Sequence, residues 1–349
     1  MGKLITIIVP VYNVENYIER CVNSLVNQTF SDFDIVLVDD GSKDKSGDLC
    51  DTFEKQYNNI TVIHKENGGL ASARNAGLEA CTGEYVMFID SDDWIETNAL
   101  ESLVDTIKRY KRPDVIKYGY KKICNGEILF ECVPELSEKL YSQKEILEEI
   151  VPMTIGKKDV LNGKDTFIPM AWSSLYRTNI IKDNEIQFVS EREILNEDYL
   201  FALQVALVSK SLYVLKKTIY YYDLREGSYS NRYRQSVYER KLKLKEAYEN
   251  VLYHKNVLDK YQMEMSRFWI YSIYCCIANE CAADSGLEAK IVIKNIGRYL
   301  KDKEVVRALK TVDLSGVSAR TRIICFLMKI KAAGLIYTLY NTAKRRQKR

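Results

Sequence analysis

The sequence predicts an α/β fold, a mostly parallel central sheet flanked by helices, followed by a helical C-terminal region. Three observations carry this. Apolar, β-branched runs begin near residues 5, 34, 60 and 85, each followed by a helical pattern, which is the rhythm of right-handed βαβ units. Polar clusters follow the ends of the first, second and fourth runs, where such sheets bind ligands. From about Ser236 onward the chain reads as nearly all helix, rich in Tyr, Leu, Lys and Glu.

The elements follow in order. Ile5–Val11 reads as a buried strand ending at Tyr12. Ile18, Cys21, Val22, Leu25 and Val26 have the spacing of an amphipathic helix. Phe33–Val38 is a second strand, closed by the turn cluster Asp39-Asp40-Gly41-Ser42. A helix over 44–57, a strand over Ile60–His64, an Ala-rich helix over 71–81 and a strand over 85–89 complete the first hundred residues. Beyond Leu100 the pattern is mixed. Residues 115–120 and 127–130 read as strands, 144–151 and 196–209 as helices, and 212–222 as an aromatic strand. A boundary near residues 231–236 divides an N-terminal domain, 1–231, from a helical region, 232–349.

Composition narrows the chemistry. Of the 51 Lys and Arg residues, nine lie between Gly316 and Arg349, where no Asp or Glu occurs. The rest of the chain holds 42 basic against 48 acidic residues, so an anionic partner should meet the tail. Only His64 and His254 are present, which excludes a three-His zinc site and leaves acid–base work to carboxylates, Lys, Tyr or Cys. Nine scattered Cys residues without a CxxC pair point to reduced thiols in a cytosol. No signal-peptide pattern is visible and no apolar run reaches a membrane-spanning length.

Three clusters carry chemistry. In Phe88-Ile89-Asp90-Ser91-Asp92-Asp93-Trp94, three carboxylates crowd a strand end, and alternation puts Asp90 and Asp92 on one side. A divalent cation or ligand hydroxyls would relieve that crowding; an acidic turn capping a helix is the other reading. In Val38-Asp39-Asp40-Gly41-Ser42, an Asp at a strand end can accept a hydrogen bond from a base N–H, or simply shape a turn. In the segment from Asn67 to Gly77, Gly68 and Gly69 allow close backbone approach and Arg74 offers planar donors to a base or phosphate. This segment is not GxGxxG and follows the third strand, which argues against a dinucleotide site.

The joint order of Val9-Pro10-Val11-Tyr12-Asn13, Val38-Asp39-Asp40-Gly41-Ser42, Gly68-Gly69 to Arg74-Asn75, and Asp90-Ser91-Asp92-Asp93 resembles the family 2 glycosyltransferases, over roughly residues 4–225. The resemblance implies the GT-A fold, a Rossmann-like arrangement, and inverting transfer from a nucleotide sugar, usually a UDP-sugar. It implies that Pro10, Tyr12, Asp40 and Arg74 hold the base, that Asp90 holds the ribose side, and that Asn67 and Ser91 also belong to the donor site. Asp92, in the DxD pattern, would hold Mn2+ or Mg2+ on the diphosphate. Leu195-Asn196-Glu197-Asp198-Tyr199 fits the family's Glu-Asp pair at a helix start, with Asp198 as catalytic base and Glu197 toward the acceptor. Trp172 is either a sugar-stacking wall on the acceptor side or a core residue. Arg225 and Ser228 lie in a stretch similar to the family's loop over the diphosphate.

A nucleotidyltransferase is the rival enzyme class, but the loop after the first strand, Val11-Tyr12-Asn13-Val14-Glu15-Asn16, has neither Gly nor a basic residue. A non-catalytic nucleotide-sugar-binding protein of the same fold is the other alternative, and intact Asp90, Asp92 and Asp198 argue against it. In the tail, Ile323, Ile324, Leu327, Ile330, Gly334, Tyr337, Leu339 and Tyr340 make a broad apolar stripe among basic residues, as in an interfacial helix. That favours a membrane surface over nucleic acid. The expectation is a cytoplasmic enzyme, peripheral on the inner face of the membrane. Its acceptor would be a glycan or lipid-linked oligosaccharide of capsule or exopolysaccharide synthesis.

Overall fold

Ile5–Val11 forms strand β1 and is buried along its whole length, which is why it lacks the alternation of a half-exposed strand. This computed structural model describes residues 2–156, 161, 169–224, 233–282 and 284–347. After β1 come α1 (Ile18–Val26), β2 (Phe33–Asp39), α2 (Ser46–Gln56), β3 (Ile60–His64), α3 (Leu70–Ala80), β4 (Tyr85–Phe88) and the short β5 (Trp94–Ile95). Next are α4 (Ala99–Arg109), β6 (Val115–Cys124), β7 (Glu127–Cys132) and β8 (Leu140–Ser142). A helical stretch follows, made of α5 (Gln143–Glu145), a π-helical turn (Ile146–Ile150) and α6 (Val151–Gly156). Beyond it are β9 (Ser174–Arg177), α7 (Thr178–Lys182), α8 (Glu197–Val208) and β10 (Ser211–Asp223). The remaining helices are α9 (Val237–His254), α10 (Gln262–Glu280), α11 (Ala289–Lys301), α12 (Lys303–Thr311), α13 (Ala319–Lys329) and α14 (Ala333–Gln347).

By its internal contacts the chain divides into two compact units, Met1–Val151 with Thr166–Glu226, and Pro152–Asp165 with Gly227–Arg349. The first holds a ten-stranded sheet in the order β3-β2-β1-β4-β9-β6-β10-β5, with β7 on β6 and β8 on β10. Parallel pairing joins β1 to β2 and β4, β2 to β3, and β6 to β10. β9 lies antiparallel between β4 and β6, so β3, β2, β1, β4, β6 and β10 all run one way. Their C-terminal ends share an edge, and the polar clusters follow those of β1, β2 and β4.

One face of this sheet packs Ile5, Ile7, Val9 and Leu37 against Ile18, Val22 and Leu25 of α1 and Leu100, Leu103 and Ile107 of α4. On the other, Gly77 lets α3 approach β1: a Cβ there would sit 2.4 Å from the Ile8 methyl. In the second unit, α10 packs against α9, α11 and α12, with Trp269, Ile273, Leu244, Ile296 and Leu309 buried.

The α/β expectation holds, with most boundaries shifted by a few residues. Helix α4 is an addition, although Leu100, Leu103, Val104 and Ile107 have helical spacing and are all buried. β9 is also new. Four residues are too few to show a period, and the strand exists because β4 and β6 leave a slot between them. Among the described residues every cysteine is free.

Candidate active site

The loops that follow β1 and β2 are stitched together. Asn13, in a left-handed conformation (φ 51°), accepts the Lys43 N–H at 2.7 Å and donates its own N–H to Ser42 Oγ at 3.2 Å. The Val14 N–H donates to Ser46 Oγ at 2.8 Å. Pro10 stays buried in β1, while Tyr12 stands exposed just past its end.

Asp39 and Asp40 are both buried, and each has found donors. Asp39 accepts the Ser42 N–H at 3.0 Å and pairs with His64 Nδ1 at 3.0 Å, and Asp51 holds the other ring nitrogen at 2.8 Å. Burial alone would raise the Asp39 carboxyl, but the bonds from Ser42 and His64 outweigh it and hold it low. The partners raise His64, Asp39 first and Asp51 second.

Asp40 accepts the Lys65 ammonium at 2.6 Å, the Gly68 N–H at 2.9 Å and the Gly69 N–H at 2.7 Å. The residue expected to read the base is thus the anchor of the glycine turn. A buried carboxylate requires donors, and the turn supplies them. Asn67 is drawn into the same knot. Its amide donates to the Asp40 carbonyl at 3.0 Å and its side-chain oxygen accepts from Arg192. Gly69 adopts φ 93°, and Glu191 caps the start of α3 by accepting the Leu70 and Ala71 N–H groups at 3.1 Å each.

Arg74, on the buried side of α3, is 1% exposed. One terminal nitrogen lies 2.5 Å from Asp198 Oδ1 and 3.4 Å from Glu197 Oε1; the other lies 2.8 Å from Asp90 Oδ1. The planar fork joins three carboxylates from two sequence regions. Below it is an aromatic floor. Phe188 lies 5.3 Å from the guanidinium carbon and stacks on Phe201, with Phe88 edge-on to both. These donors, expected to face a base or phosphate, are turned onto carboxylates instead.

Asp198 also accepts the Ala171 N–H. Both acids are pushed up. Burial is the largest cause for each, and Arg74 opposes it; Asp198 raises Glu197, and Asp90 raises Asp198. A single guanidinium cannot neutralise three carboxylates, so part of the cluster's charge remains for a proton or a cation to balance.

After β4 the four residues diverge. Ser91 is buried, and Asp92 is half-buried. Asp93 is fully buried and structural, accepting the Tyr220 hydroxyl at 2.6 Å and the Asp223 N–H at 2.8 Å. Burial, then Asp92 and Asp90, push its carboxyl well up. Arg20 stacks 3.9 Å over Trp94 and donates to the Asp92 carbonyl at 2.7 Å and to Asp223 at 2.6 Å, fixing the path of the turn.

Trp172 is 4% exposed. It stacks 4.5 Å from Tyr220 and 5.7 Å from Tyr222, with Tyr120 edge-on, so its ring is a core residue rather than an open acceptor wall. Beside it Lys117, buried in β6, donates to Ser173 Oγ at 2.6 Å, and burial pulls its ammonium down to about 7. Arg225 and Ser228 lie outside the described residues.

Arg20, Lys65, Lys117 and Glu191 were missed in the sequence. Only Lys117 left a local sign, a charge inside the run Val115-Ile116-Lys117-Tyr118.

Among the described residues no three His, Cys, Asp or Glu groups come together as a metal cage. The oxygen donors of Asp90 and Asp92 at one strand end nonetheless suit Mg2+ or Mn2+, since such ions often take one or two carboxylates and complete their shell with water and substrate phosphates.

Comparison with known proteins bears on the family and the fold. The model of the family described as Glycosyl transferase family 2 matches residues 6–157. EpsH of Bacillus subtilis strain 168, named as a glycosyltransferase, is 30% identical over 328 residues, 94% of this chain and 91% of its own. The crystal structure of Staphylococcus aureus TarS 1–349 in complex with UDP-GlcNAc superposes with a TM-score of 0.69 at 23% identity, covering 99% of this chain and 92% of that one. The mannosyltransferase PcManGT of Pyrobaculum calidifontis, solved with GDP-Man and Mn2+, reaches 0.51 at 14% identity, covering 98% and 88%.

Proposed function

This chain belongs to glycosyltransferase family 2 and carries its GT-A fold, and we propose that it moves a hexose from a UDP-sugar to a glycan hydroxyl with inversion, in a metal-dependent reaction. One observation carries the reading: a single buried guanidinium, Arg74, links Asp90 on the donor side to Glu197 and Asp198. The donor class is also supported by TarS, whose structure holds UDP-GlcNAc.

Asp198 takes the proton of the acceptor hydroxyl as that oxygen attacks the anomeric carbon; the nucleoside diphosphate leaves with the bonding electron pair. One displacement inverts the centre. Arg74 orients Asp198, and the Ala171 N–H steadies it. Glu197 faces the acceptor. Tyr12 and Pro10 flank the base, and Asp40 and Asn67 shape the donor wall through the glycine turn. Mn2+ or Mg2+ held by Asp92, with Asp90 and Ser91 alongside, would supply positive charge to the leaving diphosphate. Arg225 and Ser228 are assigned to the same diphosphate.

We assign residues 1–231 to donor binding and catalysis and 232–349 to a helical region with a basic amphipathic tail. No helix among the described residues is long and apolar enough to cross a membrane. The proposed location is the cytoplasmic face of the cell membrane, reached through the tail, with a lipid-linked capsular or exopolysaccharide intermediate as acceptor.

The test is a panel of UDP-sugars with and without Mn2+. Metal-dependent UDP release supports transfer. Pyrophosphate released from a nucleoside triphosphate would mark a nucleotidyltransferase, and binding without turnover a nucleotide-sugar-binding protein.

A further inference from the structure

Helices α13 and α14 carry two kinds of apolar residue. Ile324, Leu327 and Met328 on α13 and Ile336 on α14 are buried, and the Tyr340 hydroxyl donates to the Tyr274 carbonyl at 3.4 Å. A second set faces solvent. Ile323, Phe326 and Ile330 are 54%, 59% and 54% exposed, and their spacing of three and four residues sets them in one row along α13. Leu335 and Leu339, four apart on α14, are exposed as well.

The charge around the row has one sign. At helical spacing Arg320 falls on one side of it, and Arg322 and Lys329 on the other. These three and Lys331 are exposed, and no acid occurs between Gly316 and Arg349. The exposed apolar residues of β7, Ile128, Leu129 and Phe130, differ in this respect, because Glu127 and Glu131 flank them. We propose that the solvent-facing row Ile323, Phe326 and Ile330, with its flanking Arg320, Arg322 and Lys329, is a docking face for an anionic lipid surface. The three apolar side chains enter the headgroup boundary while the basic groups stay at phosphate level, their stems lying along the apolar surface. A twofold contact between copies would set the same basic flanks against each other, which disfavours a second copy as occupant.

This inference rests on the reading of the tail as membrane-facing and is independent of sugar transfer. The full chain is sedimented with vesicles of phosphatidylcholine alone and of equal parts phosphatidylcholine and phosphatidylglycerol. The expected result is binding to the anionic vesicles that salt weakens. Combined Ile323→Ser, Phe326→Ser and Ile330→Ser lowers the partition by roughly tenfold per side chain. Combined Arg320→Gln, Arg322→Gln and Lys329→Gln lowers it by about fivefold per charge. Circular dichroism and donor hydrolysis in solution stay at wild-type values in both.

Wild-type vesicle binding by either variant overturns the proposal. If only Lys344→Gln with Arg345→Gln and Arg346→Gln abolishes binding, the tail meets the membrane through its last residues and the α13 face does not. An apolar-row variant that loses a dimer in sedimentation while still binding vesicles makes the face a contact between copies and also overturns it.

Discussion

The Arg74 guanidinium sits 2.5 Å from the Asp198 carboxylate across 124 positions of sequence, and its other terminal nitrogen holds Asp90. One rigid cation therefore fixes the distance between the strand end after β4 and the first turn of α8. Arg74→Lys keeps the charge but not the fork. The expected outcome is a fold that survives with transfer reduced at least about tenfold. Arg74→Met leaves buried carboxylates without their partner and should cost on the order of 3–5 kcal/mol in denaturant titration. Wild-type turnover in Arg74→Lys would remove the bridge from the site.

Asp198→Asn should bind donor normally and slow transfer by roughly 10²–10⁴, the usual worth of a positioned base. Glu197→Gln should act mainly on the acceptor KM. Near-normal kcat for Asp198→Asn beside a large kcat loss for Glu197→Gln would reverse the two roles.

Both acids have carboxyls raised above their ordinary values, by burial first and by their neighbours second. A base works deprotonated, so a raised pKa moves the acidic limb of the rate profile upward. Transfer should climb with pH above the ordinary carboxylate range rather than levelling off within it. In Asp198→Asn the residual rate should lose that limb. A profile of unchanged shape would show that the limb belongs to another group.

Asp92→Asn should preserve the circular dichroism spectrum while losing most Mn2+-dependent donor binding and activity. Calorimetric titration of UDP-sugar with and without Mn2+ measures this. Equal metal-dependent affinity in variant and wild type would take Asp92 out of the metal site.

Lys117 gives a separate stability test. Burial lowers its folded pKa to about 7 from 10.5, so between those values the unfolded chain holds a proton that the native chain lacks. Stability from this group therefore rises with pH across that window, and its full penalty is present below pH 7. Lys117→Met should be the more stable protein at pH 7, by no more than a few kcal/mol at about 1.4 kcal/mol per pKa unit, and the gap should close toward pH 10. A gap that does not change with pH would show that Lys117 is charged in the native state.

Much of the fold is local and was legible. β1, β2 and β4 are nearly continuous buried runs, β3 is a β-branched run buried only at Ile60, and α1 and α8 follow where apolar spacing put them. Short elements were not legible. β5 and β9 have two and four residues and form only against neighbours far away in sequence.

The sequence by itself determined the alternation of strand and helix, the carboxylates at strand ends and the Glu-Asp pair opening α8, because each depends on residues a few positions apart. Tertiary structure alone decided which partner every polar group received. It turned Arg74 from a base contact into the hub of Asp90, Glu197 and Asp198, gave Asp40 to the Gly68-Gly69 turn, and sank Trp172 against Tyr220. It also split the tail's single apolar stripe into buried Ile324 and Leu327 and exposed Ile323 and Ile330, and set Phe326, which the stripe did not include, beside the exposed pair. The reason is physical. Spacing along the chain states which face a side chain occupies, whereas a buried charge must take its donors from whatever the packing of distant segments brings within about 3 Å.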